Sequence, residues 1–297
     1  MRLSDQTIAD AVEAGRRRLS GRSDTPWLDA RLLTSHVTGL DASAVIAYGD
    51  NLLVPGLQRR LDALFERRAR GEPVAYLVGH KEFYGLRLSV DSSVLVPRAE
   101  TETLVTAVIE DWRGTSPRIL DMGTGSGAIA CALAHALGGA AVLATDVNAQ
   151  ALAVAKKNVK CLHLEGRVEL AIGDLFAAVP DELRFDVIVA NLPYVGEADR
   201  GALADDVRLH EPAIALLAGA DGLAVYRRML TDAPRYVTDR GSIYCECSAF
   251  NGRQLAALGQ RAFPQARICV LKDNAGLERV VAVRSRPPRR AVGRRRV

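Results

Sequence analysis

Arg118-Ile119-Leu120-Asp121-Met122-Gly123-Thr124-Gly125-Ser126-Gly127-Ala128-Ile129-Ala130-Cys131-Ala132-Leu133-Ala134 is the stretch whose reading decides the fold. An apolar run of strand length ends in a carboxylate. Three glycines at alternate positions then permit a tight turn and a close approach to the backbone. An alanine-rich run of helix length follows. Strand, glycine turn, helix is the opening unit of an α/β domain.

Read outward, the same alternation continues. Ala141–Thr145 predicts a strand, Ala149–Val159 a helix, Arg167–Ile172 and Phe185–Ala190 strands. Leu223–Ala233 predicts a helix, Ser242–Glu246 a strand, Asn251 onward a helix, and Ala266–Leu271 and Arg279–Val283 two last strands. Such alternation means a mainly parallel sheet covered on both faces. Towards the N-terminus the pattern changes. Val74–Val78 and Glu82–Val90 predict strands around a Gly79 turn, a β-hairpin linker over residues 73–98. Residues 1–72 predict a helical bundle: a helix after Ser4-Asp5, a second from Pro26 to near Gly39, a third from near Asp41 and a fourth from near Pro55. That bundle is either a stabilising cap or a docking module for a macromolecular substrate. Residues 99–284 form the α/β domain, and residues 285–297 a basic tail of disordered composition.

Charge and cysteine usage bound the function class. The formal net charge is +4, yet seven arginines and no acid lie between Arg284 and Val297, so the body is mildly acidic. A uniformly basic nucleic-acid surface is not indicated. The five cysteines, Cys131, Cys161, Cys245, Cys247 and Cys269, are odd in number and fit a reducing, cytoplasmic setting. Cys245 and Cys247 sit in an apolar run and read as buried strand residues, so no metal site is expected. Ala128–Ala144 is broken by His135 and Gly138-Gly139 and reads as helix, turn and strand rather than a membrane span.

The glycine-rich loop, Asp121 to Gly127, predicts a cofactor site whose exposed N–H groups at the helix start favour an anion. Gly123-x-Gly125-x-x-Ala128 satisfies the dinucleotide fingerprint. Two details favour S-adenosylmethionine instead. The third glycine comes one residue early, and Asp121 can meet an α-ammonium group. A turn needed only for packing is the plain alternative. Asp146 ends the next strand, where a carboxylate can accept both hydroxyls of an adenosine ribose. Asp174-Leu175 can bracket an adenine, by a hydrogen bond to its amino group and an apolar wall; Asp174 could equally be a helix N-cap.

Asn191-Leu192-Pro193-Tyr194 follows the fourth strand, where ligands of such sheets bind. A planar amino nitrogen is a poor nucleophile because its lone pair is delocalised. Two acceptors holding its two N–H groups, the Asn191 side-chain oxygen and the Leu192 carbonyl, can orient it. Pro193 stiffens the turn and Tyr194 can stack on a flat amide or base. In-line displacement at a sulfonium methyl then needs positioning more than a strong base.

These residues resemble the release-factor glutamine N5-methyltransferases, from about residue 5 to residue 284. The marks are Gly71–Tyr76, Lys81–Gly85, Leu95-Val96-Pro97-Arg98-Ala99-Glu100-Thr101-Glu102, the Asp121–Gly127 loop, Gly173–Phe176, Asn191–Tyr194, Glu211-Pro212 and Gly219–Leu223. The resemblance implies a seven-stranded, Rossmann-like class I methyltransferase domain, a helical N-terminal domain and a hairpin between them. It implies S-adenosylmethionine as methyl donor and, as substrate, the glutamine of the Gly-Gly-Gln loop of class I peptide chain release factors, bound by a monomer. It places that amide against Asn191–Tyr194, with Arg98 and Glu100 nearby. Two positions depart from the family pattern: Leu192 and Ala99 each replace a usual proline. Asn-Leu-Pro-Tyr is also similar to the motif of ribosomal RNA adenine dimethyltransferases. The alternatives are an adenine-N6 methyltransferase acting on RNA or DNA, a silent cofactor-binding protein that docks on release factors, and a nicotinamide oxidoreductase. The arginine tail lies outside the resemblance and could touch RNA.

Overall fold

The computed structural model describes residues 6–285; the basic tail of residues 285–297 lies outside them, apart from Ser285. The chain divides into two compact units. Of the described residues, one holds those from residue 6 up to His80 together with Leu203–Glu211, the other Lys81–Ala202 and those from Pro212 to Ser285.

The first unit is a helical bundle of α1 (Ile8–Leu19), α2 (Pro26–Thr38), α3 (Ala42–Ala47), α4 (Pro55–Ala69) and α5 (Val74–Val78). Its helix ends follow the chain's punctuation. Pro26 and Pro55 open α2 and α4, Asp41 caps α3 through the Ser43 and Ala44 amides, and Gly39 closes α2 in the left-handed region. The α1 cap is Thr7 rather than Ser4-Asp5, because Thr7 and Asp10 form a reciprocal capping box. Leu19, Leu33, Leu61 and Phe65 fill the core. Buried among them is an ion pair: Arg68 Nε lies 2.7 Å from Asp29, which also accepts from Ser23 and Thr25.

The expected strand at Val74–Val78 is a helix. Pro73 precedes it, Gly79 ends it with φ +76°, and Leu77 packs into the bundle core, so tertiary contact overrides β-branched composition. The hairpin is β1 (His80–Phe83) and β2 (Leu86–Ser89), turning at Tyr84-Gly85 rather than at Gly79. Phe83, Leu86 and Leu88 of the hairpin are buried in the second unit's core.

In the second unit the chain runs through α6 (Glu102–Trp112), β3 (Arg118–Met122), α7 (Ala128–Ala136), β4 (Ala141–Asp146), α8 (Ala149–Cys161), β5 (Val168–Ile172) and β6 (Phe185–Ala190). It returns to the first unit for α9 (Asp205–His210), then completes the second with α10 (Ala224–Asp232), β7 (Val237–Glu246), α11 (Gly252–Ala262), β8 (Arg267–Lys272) and β9 (Glu278–Arg284). The sheet order is β5-β4-β3-β6-β7-β9-β8; β9 runs antiparallel to both of its neighbours, and the other pairings are parallel. Strand periodicity sorts the core into two faces: Ile119, Val187 and Val189 point into one cluster, Leu120, Ile188 and Ala190 into the other. Full burial of each such valine, leucine or isoleucine stabilises by about 1.5–3 kcal/mol. Cys245 and Cys247, the C-x-C pair, are buried as expected.

Strand order reverses between β3 and β6, which places a crevice at their carboxyl ends. Met122 pairs with Ala190, so Gly123 and Asn191 leave neighbouring strands side by side. Among the described residues no helix is long and apolar enough to cross a membrane.

Candidate functional site

A cavity of about 380 Å³ occupies that crevice, a size suited to a nucleoside-bearing ligand. Its walls include Gly123, Thr124, Gly125 and Ser126 from the loop after β3, Asp146 at the end of β4, Asp174 and Leu175 after β5, and Asn191, Leu192 and Pro193 after β6. Arg98 and Thr101 close it from the segment before α6.

The loop is built differently from an anion cradle. The Gly123 and Thr124 N–H groups both donate to the Thr145 carbonyl at 2.9 Å, and Gly127 N–H donates to Thr124 at 2.8 Å. Gly125 N–H donates to Asp146 Oδ2 at 2.8 Å. Four loop donors are thus already engaged, and the expected anion site at the helix start is not formed from them. Gly123 has φ +72°, and a Cβ there would come within 2.9 Å of the Leu192 side chain. The position needs glycine for its left-handed conformation.

Asp121 lies behind the cavity wall. Fully buried, it accepts from Thr124 Oγ1 at 2.6 Å and from the Ala130 amide at 3.1 Å through Oδ2, while Oδ1 has no hydrogen-bond partner. Burial pushes its carboxyl up to about 7, partly offset by the Thr124 bond. Through Oδ2 Asp121 braces the loop, and Oδ1 keeps its capacity to accept. Gly127 lies outside the lining.

Asp146 does line it. Its Oδ1 accepts from Asn148 N–H at 2.8 Å, and with Oδ2 on Gly125 the carboxylate is fixed while each oxygen keeps acceptor capacity. Asp174 makes no side-chain cap; it pairs with Arg228 at 2.5 Å, both groups half exposed on the rim. Leu175 beside it holds φ +53° and supplies an apolar wall, as does Val147 across the cavity.

On the other wall, Asn191 Nδ2 donates to Thr101 Oγ1 at 3.3 Å, which leaves the Oδ1 end to accept. Tyr194 does not line the cavity. Its hydroxyl donates to Glu246 Oε1 at 3.2 Å, and burial raises its pKa. Glu246 is itself buried at the end of β7; burial pushes its carboxyl up to about 7 against the opposing pull of Thr101, Tyr194 and Arg279. Glu100 is exposed and does not line the cavity, whereas Arg98 does. Gly222, with φ +70°, packs so closely under Tyr194 that a Cβ would come within 2.3 Å of its carbonyl oxygen. That contact calls for glycine at position 222.

Sequence reasoning does not find Thr101 as the Asn191 partner, Phe83 in the cavity wall, Glu246, or Tyr226 of α10. Phe83 carries a signal in the Lys81–Gly85 match; Glu246, between two cysteines of an apolar strand, and Tyr226, on an amphipathic helix, carry none.

A doubly wound sheet of this order, with a nucleoside-sized crevice between a glycine loop and an Asn-x-Pro-Tyr turn, defines a Rossmann-like methyltransferase. Residues 10–79 match the family model of the PrmC N-terminal domain and residues 99–207 that of the methyltransferase small domain. A release factor glutamine methyltransferase of Rhodopirellula baltica is 39% identical over 88% of this chain and 90% of its own length. One from Cereibacter sphaeroides is 38% identical over 93% and 98%. A methyltransferase structure from Pyrococcus furiosus, 16% identical, shares the fold over 78% of this chain and 99% of its own, with a TM-score of 0.51. The chain belongs to the release factor glutamine methyltransferase family.

Proposed function

We propose that this protein transfers a methyl group from S-adenosylmethionine to the side-chain amide nitrogen of the glutamine in the Gly-Gly-Gln loop of class I peptide chain release factors. The observation that carries the reading is the Asn191–Leu192 turn: it lines the donor cavity, with Asn191 anchored through its Nδ2 on Thr101. An amide acceptor so oriented, beside the Leu192 carbonyl, matches the two N–H groups of a primary amide. The engaged loop donors speak against a pyrophosphate-bearing dinucleotide and for a ligand without phosphate.

S-adenosylmethionine fits the donor set. Asp146 is a fixed carboxylate for ribose hydroxyls, Val147 and Leu175 are apolar faces for a base, and Asp174 is an acceptor for its amino group. When bound, it supplies an electrophilic methyl on a sulfonium. The protein's own part is to orient and desolvate. Asn191 Oδ1 and the Leu192 carbonyl accept the two amide protons, turn the nitrogen towards the methyl and favour its pyramidalisation. Arg98 holds the substrate backbone near the cavity mouth, and Tyr194, tied to Glu246, holds the turn's far end. After transfer the nitrogen carries the methyl and two protons; one proton is released to solvent and the other stays on the N-methyl amide. Asp121 keeps the cofactor loop in shape from below.

The first unit serves as the docking module. Its half-exposed Trp27 and exposed Ile46, Leu52 and Val54 offer more apolar surface than a simple cap needs, which suits a protein partner. Incubation of purified release factor with enzyme and labelled S-adenosylmethionine tests the reading: label should enter the release factor and not RNA or DNA. Label in adenine of nucleic acid instead would refute it.

A further inference from the structure

Tyr226 of α10 is fully buried, and its hydroxyl sits at the junction of three backbones. It accepts from the Leu192 N–H at 3.1 Å. It faces the Glu246 carbonyl oxygen at 2.6 Å and the Ala190 carbonyl oxygen at 3.1 Å. One hydroxyl carries one proton, and the shorter distance assigns it to Glu246. The group therefore links the end of β7 to the first peptide unit beyond β6. Glu246 grips the turn a second time, through its side chain on the Tyr194 hydroxyl. The cavity-lining turn thus hangs from the end of β7 by two tyrosines, one reaching in from α10 and one belonging to the turn itself.

We propose that Tyr226 is a positioning residue for methyl transfer: by accepting the Leu192 N–H it fixes the Asn191–Leu192 peptide plane, the unit between the Asn191 side chain and the Leu192 carbonyl that together meet the substrate amide. This rests on the reading of Asn191–Tyr194 as the amide clamp. The peptide on the N-terminal side of Leu192 is held at its nitrogen by Tyr226, whose hydroxyl is itself anchored on the Glu246 carbonyl. Rotation of Leu192 would swing its carbonyl away from the nitrogen it holds. The Leu192 side chain, wedged against Gly123, resists the same rotation from the cofactor side. Tyr226 never touches substrate or cofactor: it is absent from the cavity walls. Burial holds its pKa well above the usual tyrosine value, so the hydroxyl stays protonated throughout the working range.

Tyr226→Phe keeps the ring and removes only the hydroxyl. The kcat for methylation of a release factor should fall about tenfold, as for loss of one buried hydrogen-bond partner. The dissociation constant for S-adenosylmethionine, measured by calorimetry, should change less than about twofold, because only the clamp is loosened. Leu192→Pro removes the N–H that the hydroxyl serves. In that background Tyr226→Phe should lower kcat less than about threefold, a coupling that a general packing defect would not produce. Equal losses in both backgrounds, or cofactor affinity falling in step with kcat, would overturn the proposal. Amide hydrogen exchange at Leu192 reads the link without any substrate: it should quicken in Tyr226→Phe, and unchanged exchange overturns the assignment whatever the turnover does. Should the wild-type protein methylate no release factor while Leu192 exchange still responds, the link stands and the substrate reading alone fails.

Discussion

The two walls of the cavity are made by opposite means. On the cofactor side the backbone does most of the shaping: Gly123 takes a left-handed conformation, four loop amides close on Thr145, Thr124 and Asp146, and side chains contribute mainly Asp146 and the brace Asp121. On the substrate side the turn is short, and side chains from distant elements hold it. Thr101 holds Asn191, Tyr226 the Leu192 amide, and Glu246 the Tyr194 hydroxyl. A wall shaped by its own backbone tolerates changes in the side chains around it. A wall hung from remote side chains should lose geometry when any one support goes, while the cofactor stays bound.

That contrast can be broken most sharply at Asn191. Asn191→Ala should lower kcat at least roughly a hundredfold, as for loss of a group that stabilises the transition state, with cofactor affinity little changed. Near-normal turnover in steady-state assays would end the clamp account. Next in size, Asp146→Ala should weaken S-adenosylmethionine binding by about tenfold or more, since a charge-assisted contact and the Gly125 anchor vanish together. Calorimetry giving an unchanged dissociation constant would remove Asp146 from the ribose role.

Gly222→Ala probes the far support. A Cβ there meets the Tyr194 carbonyl and the residue must keep φ +70°, so the protein should lose about 1–3 kcal/mol of stability and turnover should fall with it. A thermal midpoint equal to wild type would show that the turn can yield.

The smallest effect is in pH. Asp121 and Glu246 both have carboxyl pKa values raised to about 7 by burial. The folded state therefore binds protons more tightly than the unfolded chain, and the stability these groups contribute falls as pH rises from about 4 towards about 7. Glu246→Gln is neutral at every pH, so its melting temperature should drop less than that of wild type between about pH 5 and about pH 8. Parallel curves would mean that Glu246 is ionised in the folded protein.

The same contrast decides what the sequence discloses. The cofactor wall is local: Asp121 to Gly127 lies on one stretch, its glycines are forced by backbone geometry, and strand–turn–helix order follows from it. The sheet, the bundle and most element ends are legible for the same reason. The substrate wall is assembled across the fold. Nothing near Tyr226 says that its hydroxyl will meet Leu192, because that depends on β7 pairing beside β6. Glu246 hides between Cys245 and Cys247, where strand burial accounts for the cysteines and draws notice from the acid between them. Asp121 is legible as a charged residue before a glycine loop, whereas its bracing bonds to Thr124 and Ala130 appear only in the fold. Val74–Val78 shows how five apolar residues stay ambiguous until Pro73, Gly79 and the bundle core settle them.

The most direct test is peptide mass spectrometry of a class I release factor after incubation with S-adenosylmethionine and either the wild-type protein or Asn191→Ala. Wild type should add one methyl, on the side-chain nitrogen of the Gly-Gly-Gln glutamine, and Asn191→Ala almost none in the same time. A methyl on any other residue, or equal methylation by both proteins, would contradict the account.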